Sequence, residues 1–255
     1  VEGFQRFVLA IHYLGHMIEE HFGDGSRWQV QIDYLHEDSP LGTAGAVGLL
    51  NPRPEMPFLV SNGDVLTDLD LTEMMNFHKD RAAKATISLS WVDNPSMFGV
   101  VRTDERGRVK EFVEKPPADS TPSHWINAGT YIMEPAVLES IPLGEATSVE
   151  RTTFPALIEQ DVALFGFEHH GYWIDIGTPA KFLEANQDVL ARRVAVSVAP
   201  GAREVSPSVW VQGGASIDPG AEIFGPVLVG DGAIVESGAR ISGSVIGPQC
   251  KVDSG

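Results

Sequence analysis

The sequence predicts an α/β domain built on a doubly wound sheet, followed by a coil of short parallel strands. From residue 1 to residue 192, short apolar strands alternate with amphipathic helical stretches. From Val211 to Ile241, apolar residues recur at every sixth position, with glycine and proline between them. Small residues and two prolines fill residues 193–207, so we divide the chain into domains 1–195 and 196–255.

The α/β part supplies its elements in a regular order. Strands are predicted in RFVLAIHY (6–13), QVQIDYLHE (29–37), PFLVSNGD (57–64, buried), KATISLSWV (84–92), FGVVRTD (98–104) and GRVKEFVEKP (107–116). Helices are predicted in LGHMIEEHFGDG (14–25, ending at glycine), GTAGAVGLLNP (42–52) and DLTEMMNFHKDRAA (70–83). Asp70 stands where the third helix begins, which predicts that it is the N-cap.

The repeat in the second part pairs a large apolar residue with a smaller one four positions later. The larger residues are Val211, Ile217, Ile223, Val229, Val235 and Ile241, and the smaller ones are Ala215, Ala221, Val227, Ala233, Ala239 and Val245. The register then slips by one residue to Ile246 and Val252. Three such hexads would close one triangular turn, a pattern that resembles the left-handed parallel β-helix of hexapeptide-repeat proteins. A glycine-rich β-sandwich with accidental spacing is the alternative.

Composition excludes some classes of function. The 255 residues carry a formal net charge of -17 and no basic stripe, which argues against binding to long nucleic acids. No apolar run approaches the roughly 20 residues of a membrane span. The single cysteine, Cys250, cannot form an internal disulfide, and this favours a cytoplasmic protein. The chain begins with Val1 and stops inside a repeat, so we expect a fragment at both ends.

Two aspartates lie at the ends of predicted strands, each within two residues of a glycine. Asp64 ends FLVSNGD, and Asp175 ends YWID just before Ile176 and Gly177. In open parallel sheets, ligands bind at the carboxyl ends of the strands, and Mg²⁺ prefers one or two carboxylates together with phosphate oxygens. Asp64 and Asp175 are therefore candidate ligands of one Mg²⁺ ion. The alternative for Asp64 is a turn or helix-cap residue.

Other polar residues could bind a sugar phosphate. In FVEKPP (112–117), Lys115 could pair with a phosphate and Glu114 could accept hydrogen bonds from sugar hydroxyls, although such a pair is more often a solvated strand edge. In NAGTYIM (127–133), Asn127 stands where a strand begins, and a plain turn is equally compatible. PLGTAGAVGLL (40–50) offers backbone N–H groups at a helix N-terminus, a generic anion or base platform without the lysine of a Walker loop. His169 and His170 are interpreted as strand-end residues rather than metal ligands.

The order and spacing of these motifs carry more information than each motif alone. EDSPLGTAGA, FLVSNGD, FGVV, FVEKP, NAGTYIM and YWIDIGTPAKFLEAN follow one another, from about residue 4 to 190, as in the sugar-nucleotide pyrophosphorylases. The chain resembles this nucleotidyltransferase family, whose Rossmann-like domain is followed in many members by a β-helix. SVERTTFPAL (148–157) and HEDSPLGTAGA (36–46) look most like the mannose-1-phosphate guanylyltransferase members, with glucose-1-phosphate uridylyl- and thymidylyltransferases close by.

The resemblance implies transfer of a nucleotidyl group from a nucleoside triphosphate to a sugar 1-phosphate, giving a nucleotide-sugar and pyrophosphate, with GTP and mannose 1-phosphate as the favoured pair. It also implies the site residues: Asp64 and Asp175 hold Mg²⁺, Lys115 contacts the sugar phosphate, Glu114, Gly99 and Asn127 line the sugar pocket, and Gly42 and Thr43 lie against the base or ribose. The family's opening signature, with its triphosphate-binding Arg and Lys, is absent from the sequence. We therefore expect this chain by itself to be inactive.

Two other classes of function remain open at this point. A hexapeptide-repeat acyltransferase would commonly need a histidine on the β-helix, and no histidine follows His170. A non-catalytic sensor could keep the fold and bind a nucleotide sugar. The presence of Asp64, Lys115 and Asp175 argues against this class. We expect residues 196–255 to be structural, bracing the catalytic domain or organising a homo-oligomer.

Overall fold

A computed structural model of the protein describes residues 3–117 and 121–254. The strands are β1 Arg6–Ile11, β2 Gln31–His36, β3 Phe58–Ser61, β4 Val65–Thr67, β5 Ala85–Trp91, β6 Gly99–Thr103, β7 Val109–Glu114, β8 Trp125–Met133, β9 Leu164–His169, β10 Trp173–Asp175, β11 Arg203–Ser206, β12 Val209–Val211, β13 Ser216–Ile217, β14 Glu222–Val229, β15 Ile234–Val235, β16 Arg240–Ile246 and β17 Lys251–Val252. The α-helices are α1 Gly15–Phe22, α2 Gly42–Gly48, α3 Leu71–Asp80, α4 Phe154–Glu159 and α5 Pro179–Leu190, and a π-helical turn spans Val149–Thr153.

Contacts between Cα atoms divide the chain into two compact units. Unit 1 comprises Val1–Asn62 and Asp70–His170, and unit 2 comprises Gly63–Leu69 and Gly171–Gly255. These bounds differ from the predicted domains 1–195 and 196–255, because β4, β10 and α5 group with the C-terminal strands. A division of the chain into separately folding domains at residue 195 stays a prediction.

The main sheet of unit 1 is mixed rather than parallel. Its strands follow the order β7-β6-β8-β5-β9, and β3 also pairs with β8. β8 runs antiparallel to β3, β5 and β6, whereas β5 and β9 are parallel, and β1 and β2 form a separate parallel pair. The α/β class is confirmed, but the expected open parallel winding is wrong for these strands. Short connections favour antiparallel neighbours: a turn of residues 104–108, in which Asp104 accepts from the N–H groups of Arg106 and Arg108, joins β6 to β7.

Burial separates the central strands from the edge of this sheet. β5 is buried from Ala85 to Ser90, and its apolar side chains join Tyr131, Phe154 and Leu164 in the main core. β3 was predicted to be buried, yet its apolar residues are half-buried and Ser61 is exposed. The reason is that β3 lies at an edge of the sheet, where it pairs with β8. Asp70 caps α3 as predicted, since its Oδ1 accepts a hydrogen bond from the Glu73 N–H at 2.9 Å.

The repeat residues of unit 2 form two stacks of parallel strands. β14 pairs with β12 and β16, and β15 pairs with β13 and β17. Partners such as Ile217 and Val235 lie 18 positions apart, which is three hexads. Seven residues of the repeat region are buried together in one apolar cluster: Val211, Val227, Val229, Ala233, Val235, Ala239 and Ile241.

The one-residue slip in the repeat has a structural cause. Phe224 pairs with Ser242, but the next pair is Val227 with Ser244, so two residues of β14 face one residue of β16. The extra residue lies in Gly225-Pro226, opposite Gly243. A β-bulge therefore absorbs the irregularity and returns Ile246 and Val252 to the apolar cluster. The predicted small position at Val245 is wrong, because Val245 is exposed and Ser244 pairs with the buried Val227 in its place.

No helix in the described parts of the chain combines the length and the apolar character needed to cross a membrane.

Candidate active site

Asp64 and Asp175 come together in unit 2 on a short antiparallel strand pair. Asp64 precedes β4 and Asp175 ends β10, and the pairing of Asp175 with Val65 places both aspartates at the same end of the pair. The Ile176 N–H donates to the Asp64 carbonyl at 2.8 Å. The strand-end position predicted from sequence is thus reached through antiparallel β4 and β10, not through two neighbouring parallel strands.

Gly177 marks the point on which the two carboxylates converge. A Cβ atom built on Gly177 would lie 2.9 Å from Asp175 Oδ1 and 3.5 Å from Asp64 Oδ2. Asp175 Oδ1 also accepts a hydrogen bond from the Gly177 N–H at 2.8 Å. Two carboxylates beside one open space fit Mg²⁺, which keeps several waters and takes the rest of its ligands from phosphate. Within residues 3–117 and 121–254 there is no group of three or more His, Cys, Asp or Glu that could hold a metal by itself.

Tyr172 holds this strand pair in place. Its backbone N–H donates to Asp68 Oδ1 at 2.7 Å, and its carbonyl accepts from Thr67 Oγ1 at 2.9 Å. Its hydroxyl donates to the buried Asp188 on α5 at 2.8 Å, and Asp188 also accepts from Arg193 at 2.7 Å. Burial, followed by the hydrogen bond to Asp188, raises the pKa of Tyr172, so the hydroxyl stays a donor. Sequence reasoning missed this support because its members lie far apart in the chain.

Glu114 and Lys115 lie in unit 1 at the end of β7, where the strand alternation breaks. Lys115 adopts a φ of 50°, in the left-handed region, and its N–H donates to the Phe98 carbonyl at 3.0 Å. Gly99 pairs with Glu114 across the sheet, and a Cβ on Gly99 would lie 2.7 Å from Glu114 Oε2. The Glu114 carboxylate therefore lies over the bare backbone of Gly99, and the exposed Lys115 leaves the strand beside it.

Asn127 lies inside β8 and not at the start of a strand, as NAGTYIM had suggested. Opposite β5, Ile87 pairs with Tyr131 and Leu89 pairs with Asn127, so β8 bulges between these two pairs. The Asn127 side chain spans the bulge: its Nδ2 donates to the Tyr131 hydroxyl at 2.8 Å, and its Oδ1 accepts from the Gly129 N–H at 3.0 Å. Bulges often re-aim side chains next to active sites.

The start of α2 is closed by the protein itself. The N–H groups of Ala44 and Gly45 both donate to the Thr147 carbonyl, at 2.9 Å and 3.2 Å. Gly42 has a φ of 72°, and a Cβ there would lie 2.8 Å from the same carbonyl oxygen. These two N–H groups are occupied, so the expected anion platform at the helix N-terminus is wrong for them. The bare backbone of Gly42 lies at this end of α2, and the Thr43 hydroxyl beside it is hydrogen-bonded to Glu150 and to the Val149 N–H.

Glu150, on the π-helical turn, is the residue that sequence reasoning missed in unit 1. Its Oε2 accepts from the hydroxyls of Thr43 at 2.9 Å and Ser148 at 2.7 Å, and its Oε1 accepts from the Tyr131 hydroxyl at 3.4 Å. Burial raises the pKa of Glu114 first, and the nearby Glu150 carboxylate raises it further. Single-turn π-helices are frequent at functional sites, but the sequence around SVERTT gave no local sign of one.

The structure thus brings the predicted site residues together in groups. Asp64 and Asp175 form one group in unit 2, and Gly99 with Glu114 and Lys115 forms another in unit 1. Thr43 and Asn127 are joined through Glu150 and Tyr131. His169 is the last residue of β9, as predicted, and the His170 ring lies edge-on to Trp125 with centroids 5.1 Å apart.

A comparison with protein-family models matches residues 1–192 to the family described as nucleotidyl transferase. The chain belongs to this family. It is 39% identical, over 258 residues, to the mannose-1-phosphate guanylyltransferase of Mycobacterium tuberculosis, a match that covers 99% of this chain and 70% of that protein. It is 35% identical to the UTP–glucose-1-phosphate uridylyltransferase of a Synechocystis species, covering 99% of this chain and 69% of that protein.

Solved structures agree with this membership. HddC from Yersinia pseudotuberculosis superposes with a TM-score of 0.60 at 27% identity, covering 72% of this chain and 78% of that one. A thymidylyltransferase-like protein of Bacillus anthracis superposes with a TM-score of 0.62 at 23% identity, over 75% of this chain and 78% of that one, and supports the fold alone. The mixed α/β nucleotidyltransferase fold and the enzyme class predicted from the sequence are confirmed.

Proposed function

We propose that this nucleotidyltransferase transfers a guanylyl group from GTP to mannose 1-phosphate, giving GDP-mannose and pyrophosphate. The observation that carries the chemistry is the convergence of Asp64 and Asp175 beside Gly177. The choice of substrates is supported by the Mycobacterium relative, which this chain matches along 99% of its length. A structure of HddC in complex with GMP-PN, at 27% identity, agrees with a guanine nucleotide.

The second candidate is uridylyl or thymidylyl transfer to glucose 1-phosphate. The Synechocystis uridylyltransferase favours it, since it covers the same share of this chain at 35% identity. A regulatory, non-catalytic subunit is the weaker alternative, because the paired carboxylates have little use in a protein that performs no transfer.

Each site residue has a role that its surroundings allow. Asp64 and Asp175 would hold Mg²⁺, which when bound neutralises charge on the phosphates. The exposed ammonium of Lys115 would pair with the sugar phosphate, and the half-buried Glu114 would accept hydrogen bonds from sugar hydroxyls. Asn127 and the bare backbone of Gly99 would line the sugar pocket, while Gly42 and Thr43 would lie against the base or ribose.

The reaction needs positioning more than proton transfer. A phosphate oxygen of the sugar 1-phosphate attacks the α-phosphorus of the triphosphate, the new P–O bond forms, and the bond to pyrophosphate breaks. The attacking oxygen is already ionised near neutral pH, so no general base is required. Charge neutralisation and alignment are then the main contributions of the protein, as in other phosphoryl transfers.

The C-terminal strands complete the proposal. Parallel pairing of residues 18 positions apart, with the repeat residues buried, supports a left-handed β-helix of hexapeptide repeats over residues 196–255. We assign it a structural role, either bracing the catalytic part or organising a homo-oligomer. The single Cys250 supports a cytoplasmic location.

The first test concerns the carboxylates. In the natural protein that carries this chain, Asp64→Asn and Asp175→Asn should each abolish Mg²⁺-dependent pyrophosphate release while leaving the circular dichroism spectrum unchanged. Asp80→Asn, which makes the same charge change at the exposed end of α3, is the matched control and should keep full activity. Near wild-type turnover by either test variant at saturating Mg²⁺ would remove that aspartate from the site.

The second test concerns the substrates. A panel of GTP, UTP and dTTP against mannose 1-phosphate and glucose 1-phosphate should give the highest kcat/KM for GTP with mannose 1-phosphate. A preference for UTP or dTTP with glucose 1-phosphate would overturn the guanylyl assignment and leave nucleotidyl transfer intact.

A further inference from the structure

We propose that Glu150 is a positioning residue that couples the nucleotide side of the unit 1 site to its sugar side. The inference rests on the proposed function, because that function assigns Thr43 to the nucleotide and Asn127 to the sugar. Glu150 bonds directly to Thr43 and, through Tyr131, reaches Asn127. One carboxylate therefore sets the orientation of side chains that serve two different substrates.

On the nucleotide side, the bonds to Glu150 determine where the Thr43 hydroxyl points. Thr43 Oγ1 accepts from the Val149 N–H at 2.8 Å and donates to Glu150 Oε2 at 2.9 Å. Ser148 donates to the same carboxylate oxygen at 2.7 Å, and Ser148 Oγ in turn accepts from the Arg151 N–H at 3.1 Å. The donor and acceptor sites of Thr43 are thus directed by groups of the π-helical turn.

On the sugar side, the hydrogen bonds from Asn127 through Tyr131 to Glu150 can be donated in one direction only. The Tyr131 side chain is 1% exposed, and its hydroxyl accepts from Asn127 Nδ2 at 2.8 Å while it donates to Glu150 Oε1 at 3.4 Å. A carboxylate accepts and cannot donate, so the Tyr131 proton must point toward Glu150 and its lone pair toward Asn127. Burial and the Glu150 charge raise the pKa of Tyr131, which keeps the phenol protonated. The Asn127 amide is thereby held in one of its two flip states.

Glu150 also acts on Glu114 through space. It is the second cause, after burial, that raises the pKa of Glu114, whereas Lys115 and Arg151 lower it. Removing the charge of Glu150 therefore makes Glu114 ionise at lower pH. The titration of Glu114 therefore reports whether the Glu150 charge is present, and the KM values report whether Glu150 positions the two substrates.

The experiment compares Glu150→Gln, Tyr131→Phe and their double variant in the natural protein, with the exposed Glu145→Gln as matched control. Loss of a charged hydrogen-bond partner should lower kcat/KM for Glu150→Gln by roughly 10-fold to 100-fold. KM should rise for both GTP and mannose 1-phosphate. Tyr131→Phe should raise KM for mannose 1-phosphate and leave KM for GTP unchanged. The double variant should lose less than the product of the two single losses, because both break one chain of bonds.

The outcomes separate the two proposals. A rise in only one KM for Glu150→Gln, or losses that multiply in the double variant, would overturn the coupling role. If the enzyme prefers UTP with glucose 1-phosphate, the same two KM values are measured with that pair, and the coupling role stands or falls on them. A readout independent of turnover is the carboxyl ¹³C titration of Glu114: Glu150→Gln should lower its midpoint, and an unchanged midpoint contradicts the electrostatic effect of Glu150 on Glu114. The KM values for the two substrates decide the coupling itself. If Glu150→Gln fails to fold, Tyr131→Phe decides by itself through its KM split.

Discussion

Replacing Gly177 by alanine should weaken metal binding without weakening the fold. The new Cβ would lie 2.9 Å from Asp175 Oδ1, and ordinary contact begins at about 3.4 Å, so the carboxylate must move by roughly half an ångström. Mutations of groups that orient metal ligands, as the Gly177 N–H orients Asp175, cost about 10-fold to 100-fold in affinity. We expect at least a 10-fold weaker Kd for Mg²⁺ in isothermal titration.

The same substitution should leave thermal stability unchanged or slightly higher. Gly177 is exposed and does not adopt a positive φ, so alanine fits its backbone and lowers the entropy of the unfolded chain, worth about 0.4–1 kcal/mol. The matched control is Gly63→Ala in the neighbouring loop, where a Cβ would meet nothing within 4 Å. An unchanged Mg²⁺ affinity in Gly177→Ala would show that the carboxylates do not meet a cation at this point. A fall of several degrees in Tm would refute the reasoning that the damage is confined to the ligands.

Three stability predictions follow from single contacts. Burial lowers the pKa of His78, despite the opposing charge of Glu134. The folded state therefore disfavours the protonated imidazole, and the free energy of unfolding falls as the pH drops below about 6.5. Between about pH 7 and pH 5, His78→Gln should lose less stability than wild type in urea unfolding. Asp70→Ala removes the cap of α3 and should cost about 1 kcal/mol, seen as a Tm about 2–4 °C lower; an equal loss in Asp80→Asn would contradict the cap. Val227→Ala removes buried methyl groups from the repeat cluster and should cost roughly 2 kcal/mol in denaturant unfolding, whereas the same change at the exposed Val205 should cost little.

Local signals in the sequence were sufficient for much of the fold. Three features could be predicted because each depends on residues within a few positions of one another. They are the Asp70 cap, the glycine after α1 and the six-residue repeat. The burial of β3 was overestimated, because an apolar run looks the same in a central strand and in a strand at the edge of its sheet.

The site was predictable in part from the sequence. The pairing of Asp64 with Asp175 was expected from their positions at strand ends and from the resemblance, but the antiparallel pairing of β4 with β10 was not, since the two strands are far apart in the chain. Glu150 was missed for the same reason. It bonds to Thr43, 107 positions away, and to Tyr131, 19 positions away, and neither spacing belongs to a helix or a strand. Such long-range hydrogen bonds leave no periodic trace in one sequence.

The bulge at Gly225-Pro226 shows how the C-terminal strands tolerate changes in length. On one side of it partners are 18 positions apart, as in Ile223 with Ile241, and on the other side they are 17 apart, as in Val229 with Ile246. A difference of one residue in length is therefore confined to Gly225-Pro226 and Gly243, and the strand pairs beyond it resume a regular register. A point deletion of Gly225 or Pro226 should therefore be tolerated, whereas a deletion elsewhere in β12, β14 or β16 should prevent folding. The repeat would then diverge in evolution by small insertions and deletions at such bulges as readily as by substitution.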